Sequence, residues 1–377
     1  MMLGRVLVAT AALMCALAPV PETQDVTPAQ EAIPFAPRRY VAYRTPAPIA
    51  SDGKLAEPAW AAAPWTEAFV DIEGESRPRP PLRTRVKMLW DDSNFYVAAE
   101  MEEPELWGTL KQRDAVIFHD NDFEVFIDPD GDTHAYYELE VNVLGTPWDL
   151  MLLKPYRDAG RAIDAWDIAG LQVAVDARGT VNRPGDRDDG WTVELAMPWD
   201  VLREAAAAGK PPQPDEQWRV NFSRVEWKVA IVADGYAKVL KPGSNQPLPE
   251  SNWVWSPQGA INMHMPERWG YVQFSSRPAG SSPADEFVVD PNEGVKWALR
   301  RLYYRQRAFR TKTGRYAGRL AELDTSGIEV DGLEFRPEMK VTDSLYEIVA
   351  PGFGGLRLHI DQDGRVWGTK SAPKGAH

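Results

Sequence analysis

Asn121-Asp122-Phe123-Glu124-Val125-Phe126-Ile127-Asp128 and, after a turn, Tyr137-Glu138-Leu139-Glu140-Val141-Asn142 decide how this chain folds. In both stretches apolar and polar residues alternate with a period of two, the pattern of β-strands whose two faces meet different surroundings. The theme repeats outward. Phe95, Val97, Ala99 and Met101 form one such series, Trp191, Val193, Leu195 and Met197 another, and Val220 with Phe222 a third. Turn signals such as Asp128-Pro129-Asp130-Gly131-Asp132 and Asp186-Arg187-Asp188-Asp189-Gly190 separate them. Many short strands between Gly, Pro and Asp turns predict an antiparallel β-sandwich from about Tyr40 to Phe274. The one helix expected there is Val201–Ala208, ended by Gly209.

Composition narrows the function classes. Of 377 residues, 44% are apolar, enough to fill a core in each of two domains. Acidic residues outnumber basic ones, 55 to 42, for a formal net charge of −13. That balance argues against nucleic acid and anionic lipid as partners, because both require clustered Lys and Arg. Fifteen tryptophans exceed the need of a core this size and point to ring-mediated recognition. The single cysteine, Cys15, lies in the first apolar run, so a chain processed after it has no thiol for a disulfide, a metal or a nucleophile.

Residues 1–18 read as a signal peptide, with Arg5 ahead of the apolar run Val6–Ala18, which is too short to span a bilayer. The expected location is exported, periplasmic or secreted, with membrane contact only through an N-terminal anchor. Residues 19–39, rich in Pro, Gln, Glu and Thr, read as a tether. The sandwich takes residues 40–276 and a Pro/Gly/Ser linker takes 277–290. Beyond it, in residues 291–377, Val295, Ala298, Leu299, Leu302, Gln306 and Phe309 keep helical spacing, with a stop near Gly314. A second short helix at Tyr316–Leu323 and two or three strands follow, with Asp361-Gln362-Asp363-Gly364 as a hairpin turn. This tail is a small α+β domain. Its arginines, from Arg300 to Arg310, read as a solvated helix face. The tail also offers a docking surface for an envelope protein partner or for the sandwich, and it faintly resembles the globular part of pilin-like proteins.

The sandwich resembles the family 9 carbohydrate-binding modules over about residues 40–275. Seven landmarks in order carry the likeness: Asp52-Gly53-Lys54-Leu55-Ala56-Glu57-Pro58-Ala59-Trp60, then Val86-Lys87-Met88-Leu89-Trp90-Asp91-Asp92, and the two acidic strands quoted above. Gly190-Trp191-Thr192-Val193-Glu194, Arg219-Val220-Asn221-Phe222 and Pro266-Glu267-Arg268-Trp269-Gly270 complete the series. The resemblance implies a β-sandwich that binds sugars rather than cutting them. Sugar-binding members clamp the ligand between two rings, one just before the acidic strand and one before the closing Pro-x-x-aromatic-Gly. Phe118 falls near the first position, but Met263 stands near the second, which suggests a site rebuilt around Trp253 and Trp255.

A sugar site needs a flat ring and a rim of donors and acceptors. Glu124, Glu140, Asn142, Asn221 and Arg224 are candidates for the rim, and a solvated outer sheet face is the competing reading. Trp253 and Trp255, about 6–7 Å apart on one strand face, are either a platform for successive sugar rings or core packing. Trp148 is placed in a loop or strand start that presents its ring, and His119 and His264 flank the two clamp positions. Asp128, Asp130 and Asp132 are a candidate calcium site or an ordinary turn, and no cofactor is required. The leading expectation is a non-catalytic binder of oligo- or polysaccharide linked to carbohydrate catabolism. Its rivals are an envelope scaffold on the same sandwich, a glycoside hydrolase, and a haem-carrying electron-transfer domain using Met101, Met151, Met263 or Met265.

Overall fold

The computed structural model describes residues 33–370 except 207, 208 and 234. The expected signal peptide, most of the expected tether and His377 lie outside the described residues. In chain order the strands are β1 (Arg39–Arg44), β2 (Val70–Asp71), β3 (Thr84–Trp90), β4 (Asn94–Met101) and β5 (Asp122–Asp128). Next come β6 (Tyr136–Asn142), β7 (Pro147–Leu152), β8 (Ala162–Ile163), β9 (Gln172–Arg178) and β10 (Gly190–Pro198). β11 (Gln217–Glu226), β12 (Val229–Val232), β13 (Gly235–Lys238), β14 (Ser251–Val254) and β15 (Gly270–Pro278) complete the first domain.

These strands hydrogen-bond in the order β8-β7-β6-β5-β11-β15-β1-β3-β4-β10-β9, and β14 links β11 to β2. The sheet closes over one core, in which Val86, Met88, Val97, Val125, Leu139, Val193 and Val220 are all at most 1% exposed. The mainly β sandwich is as expected, with one correction. β1 runs parallel to both of its neighbours, β15 and β3, so the sheet is not purely antiparallel. A parallel pair needs a long crossover, and the segment between Arg44 and Thr84, which contains α1 (Pro58–Ala62), supplies it. Many of the indoles are structural. Trp90, Phe95, Trp199, Trp218 and Phe274 interlock with ring centroids 5.4–6.3 Å apart, mostly edge to face.

The helix expected at 201–208 is smaller than its pattern. It is one turn, α2 (Trp199–Leu202), followed by a 3-10 turn at Arg203–Ala205. The end of the tether is not free chain either. Phe35 stacks on Trp297 at 4.3 Å, and the Arg38 carbonyl accepts the Tyr271 N–H. The linker is likewise strapped down. Arg277 pairs with Asp285 at 2.5 Å, and Gln273 accepts the Val288 N–H at 2.9 Å.

The tail holds α3 (Asn292–Thr313), ended as expected by Gly314 at φ 77, where a residue without Cβ meets no strain. Four antiparallel strands follow: β16 (Glu338–Val341), β17 (Tyr346–Pro351), β18 (Leu356–Asp361) and β19 (Val366–Lys370). Asp361–Gly364 is the β18–β19 turn. Val295, Leu299 and Leu302 pack on Ile348, Leu358 and Ile360. The expected helix at Tyr316–Leu323 is only a 3-10 turn, Leu320–Glu322. The solvated arginine face is corrected in part, because Arg310 is exposed but two others are not. Arg300 is 1% exposed and donates to Thr133 of the sandwich at 3.2 Å, while Arg307 donates to Asp158 at 2.7 Å. These arginines face the sandwich rather than water.

Candidate functional site

The acidic strands pair so that unlike chemistry meets on one sheet face. Trp148 on β7 lies opposite Glu140 on β6, Glu140 opposite Glu124 on β5, and Glu124 opposite Ser223 on β11. The adjacent row runs Leu150, Glu138, Phe126, Asn221. Alternate residues on a strand share a face, so Asp122 joins Glu124 there. This is the face away from the core that holds Phe123, Val125, Phe222 and Val220.

The polar face is not a solvated surface. Asp122, Glu124, Glu138 and Glu140 are 0%, 5%, 6% and 1% exposed. Among the described residues no Lys or Arg forms an ion pair with any of them. Burial, then the neighbouring carboxylates, push Asp122, Glu138 and Glu140 well above the usual carboxylate range. Burial raises Glu124 to about 7. Asp122 Oδ1 accepts the Val225 N–H at 3.2 Å and Glu140 Oε2 the Phe118 N–H at 2.8 Å. Asp122 Oδ2 and Ser223 Oγ are buried without a hydrogen-bond partner.

The loop before β5 brings a ring to this face. Asp120 accepts the backbone N–H groups of Thr109 and Leu110 at 2.7 and 2.8 Å, and Asn142 Nδ2 at 3.0 Å. The loop so anchored carries Phe118, whose carbonyl accepts Trp227 Nε1 at 2.7 Å. Phe118 and Trp148 are both half-buried, and His119 is exposed with its ring 4.8 Å from that of Phe118. Trp148 and Tyr156 also pack on an apolar cluster of Phe126, Tyr136, Leu150, Met263 and Trp269. The face therefore has an acidic end and an apolar end, and Trp148 touches both.

Of the residues expected from sequence, Phe118, His119, Glu124, Glu140 and Trp148 meet here. Asn142 lies at the margin and is spent on structure, holding Leu110 and Asp120 while its oxygen accepts the Leu144 and Thr146 N–H groups. Asn221 is fully occupied by Ser256 and its own strand. Arg224 is corrected. It has core parity, is 1% exposed, and donates to Thr84, Glu103 and Glu226. The platform of Trp253 and Trp255 is corrected too, because both rings are in the sandwich core at 6% and 0% exposure. β14 pairs Trp253 with core-facing Arg224, whose guanidinium lies 5.2 Å from the indole. His264 is partly buried, shares a 3.0 Å hydrogen bond with Tyr136, and is depressed to about 3 by burial and Arg157. Asp122, Glu138, Tyr156 and Ser223 were missed. Strand parity marks Asp122 and Glu138, but only the register of β11 against β5 brings Ser223 in, and only the packing of the 3-10 turn Tyr156–Asp158 brings Tyr156 in.

In the candidate calcium turn Asp128, Asp130 and Asp132 each bring a carboxylate oxygen within 4.8 Å of the others, and all three also accept protein donors. Asp128 accepts the Gly131 and Thr133 N–H groups at 3.0 and 2.9 Å, and Asp132 accepts the His134 N–H and Arg365 Nε, both at 2.7 Å. Of the methionines considered as haem ligands, Met101 and Met151 pack in the sandwich core and Met263 in the apolar cluster.

Residues 51–212 match the family described as carbohydrate family 9 binding domain-like. The match lies within the sandwich. The matched segment contains the acidic strands, whereas β11, β14 and β15 lie beyond its end. No curated protein matches the chain. Among solved structures, a family 9 carbohydrate-binding module from Caldicellulosiruptor kristjanssonii in complex with cellotriose is 16% identical. It covers 67% of this chain and 100% of its own, with a TM-score of 0.41. The same organism's module in complex with glucose is 16% identical over 64% and 100%, with a TM-score of 0.40. A Bacteroides uniformis protein is 12% identical over 64% and 100%, with a TM-score of 0.46.

Proposed function

We propose that this is an exported, non-catalytic carbohydrate-binding protein linked to carbohydrate catabolism. The saccharide stacks on Trp148 and Phe118, with His119 on the rim. The observation that carries this reading is the pairing of two half-buried rings with one carboxylate. Trp148 lies directly opposite Glu140, and the backbone of Phe118 is bonded to it. Sugar C–H faces and hydroxyls call for that combination. The family 9 match over residues 51–212 supports it, and the leader at residues 1–18 supports export. Glu138, at 6% exposure, is the least buried acid of the group and serves as a further hydroxyl partner beside Glu140.

The test is a glycan array on the full-length protein, followed by calorimetry with glucose, cellotriose and acidic oligosaccharides. Binding that Trp148→Ala weakens while the melting temperature stays put supports the assignment. Silence across neutral and acidic glycans refutes it and favours a scaffold role for the same sandwich.

A further inference from the structure

A guanidinium is buried where the tail meets the sandwich, and part of it meets no partner. Arg300 of α3 is 1% exposed. Its Nη2 donates to the Thr133 hydroxyl at 3.2 Å, and its guanidinium carbon lies 5.1 Å from the centre of the Tyr303 ring. Nε and Nη1 are buried without a hydrogen-bond partner. Among the described residues no carboxylate forms an ion pair with Arg300. Arginine does not deprotonate inside a protein, and an unpaired buried charge is costly.

The surrounding charges leave Arg300 uncompensated. Arg157, Arg300 and Arg307 face two carboxylates, Asp158 and Glu267, and Arg157 and Arg307 between them already hold both. Beside them Arg219 and Lys296 share the carboxylate of Glu293. The acidic turn of the sandwich is engaged elsewhere. Asp132 pairs with Arg365, and Asp128 and Asp130 accept backbone N–H groups of the turn itself.

A cavity of about 20 Å3 opens at this point, lined by Arg300, Lys296, Arg219, Thr133, Glu267 and Phe35 among others. Both oxygens of Glu267 are already bonded, Oε1 to Arg157 and Tyr304 and Oε2 to Arg157. The unsatisfied chemistry of the cavity is therefore the N–H groups of Arg300 and the spare protons of the Lys296 ammonium. One water-sized body needs roughly 10–15 Å3, so the space takes a single atom-sized occupant and excludes sulfate, phosphate or a carboxylate.

We propose that this cavity binds one chloride ion, held by Arg300 and Lys296 between the sandwich and the tail. A monatomic anion fits the volume and supplies the negative charge that the neighbouring carboxylates do not. Thr133 and Arg219 belong to the sandwich, Lys296 and Arg300 to α3, and Phe35 to the segment before β1, so the ion fastens three parts of the chain together. This inference does not depend on the saccharide reading, and its test involves no sugar.

Full-length protein is melted at constant ionic strength while sodium chloride replaces sodium gluconate, whose anion is too large for the cavity. The melting temperature climbs by about 3–6 °C for each tenfold rise of chloride above its Kd. In Arg300→Met the climb is lost, and without chloride this variant melts no lower than wild type, because the lone charge is gone. Crystals of the wild-type protein grown in bromide show an anomalous peak within hydrogen-bond distance of Arg300 Nε or Nη1. Equal melting in chloride and gluconate, a climb that Arg300→Met retains, or an ordered water only at that place in the bromide crystals each overturns the proposal. If Arg300→Met does not fold, the bromide peak decides: its presence upholds the site and its absence overturns it.

Discussion

Removing the Arg157 guanidinium is expected to destabilise the whole molecule and loosen the tail from the sandwich. Arg157 and Asp158 side chains are each 1% exposed. Arg157 grips Glu267 through two nitrogens, at 2.9 and 3.0 Å, and Tyr303 of α3 donates to Asp158 at 2.5 Å. Arg307 reaches Asp158 at 2.7 Å, and Tyr304 donates to Glu267. Although burial opposes ionisation, Arg157 and then Arg300 hold Glu267 down at about 2. In Arg157→Ala the Glu267 charge stays buried with only Arg300 and Tyr304 to compensate. Breaking a buried pair from one side costs about 3–5 kcal/mol. At about 2–4 °C per kcal/mol for a chain of this size, the melting temperature falls by roughly 10 °C. Scanning calorimetry reads the shift, and the single transition splits as the tail melts separately. Arg157→Met/Glu267→Met recovers part of the loss, because no lone charge then remains. A melting temperature of Arg157→Ala within about 1 °C of wild type, or a double variant no better than either single, refutes the reasoning.

Other outcomes follow from the same contacts. Trp148→Ala weakens saccharide binding by roughly tenfold, about 1.4 kcal/mol, the scale of one ring contact; titration calorimetry reads it, and unchanged affinity moves the ligand elsewhere. Trp255→Ala costs about 3–5 kcal/mol of stability, because its ring is 0% exposed; denaturant unfolding checks this, and a loss under about 1 kcal/mol contradicts core placement. His264 titrates at about 3 when folded but at about 6.5 when unfolded. The unfolded chain therefore takes up the proton first, and wild type loses stability relative to His264→Gln as pH falls from about 6.5 towards 4. Parallel pH profiles of the two proteins exclude this if they fall by the same amount.

Much of the sandwich was legible because strand alternation is a local property. The series at Phe95–Met101, Phe123–Ile127, Tyr137–Val141 and Trp191–Met197 all became strands. Phe118, Glu124, Glu140 and Trp148 were also legible as candidates that the fold brings together, since they sit on or beside paired strands. Arg224 shares the parity of Val220 and Phe222 and was misread on its charge, whereas Trp253 and Trp255 were misread for another reason. Parity says that two residues share a face but not which face meets the core, and that is set when β14 pairs with β11.

The sequence by itself determined which segments extend and where they turn, because side-chain direction and turn chemistry act over a few residues. Only the tertiary structure decided what covers the second face of β5 and β6, and hence that its acids are buried rather than wet. It alone placed the α3 arginines against Asp158 and Thr133 and turned tether and linker into packed chain. Those outcomes depend on contacts between residues far apart in sequence, which no local pattern encodes.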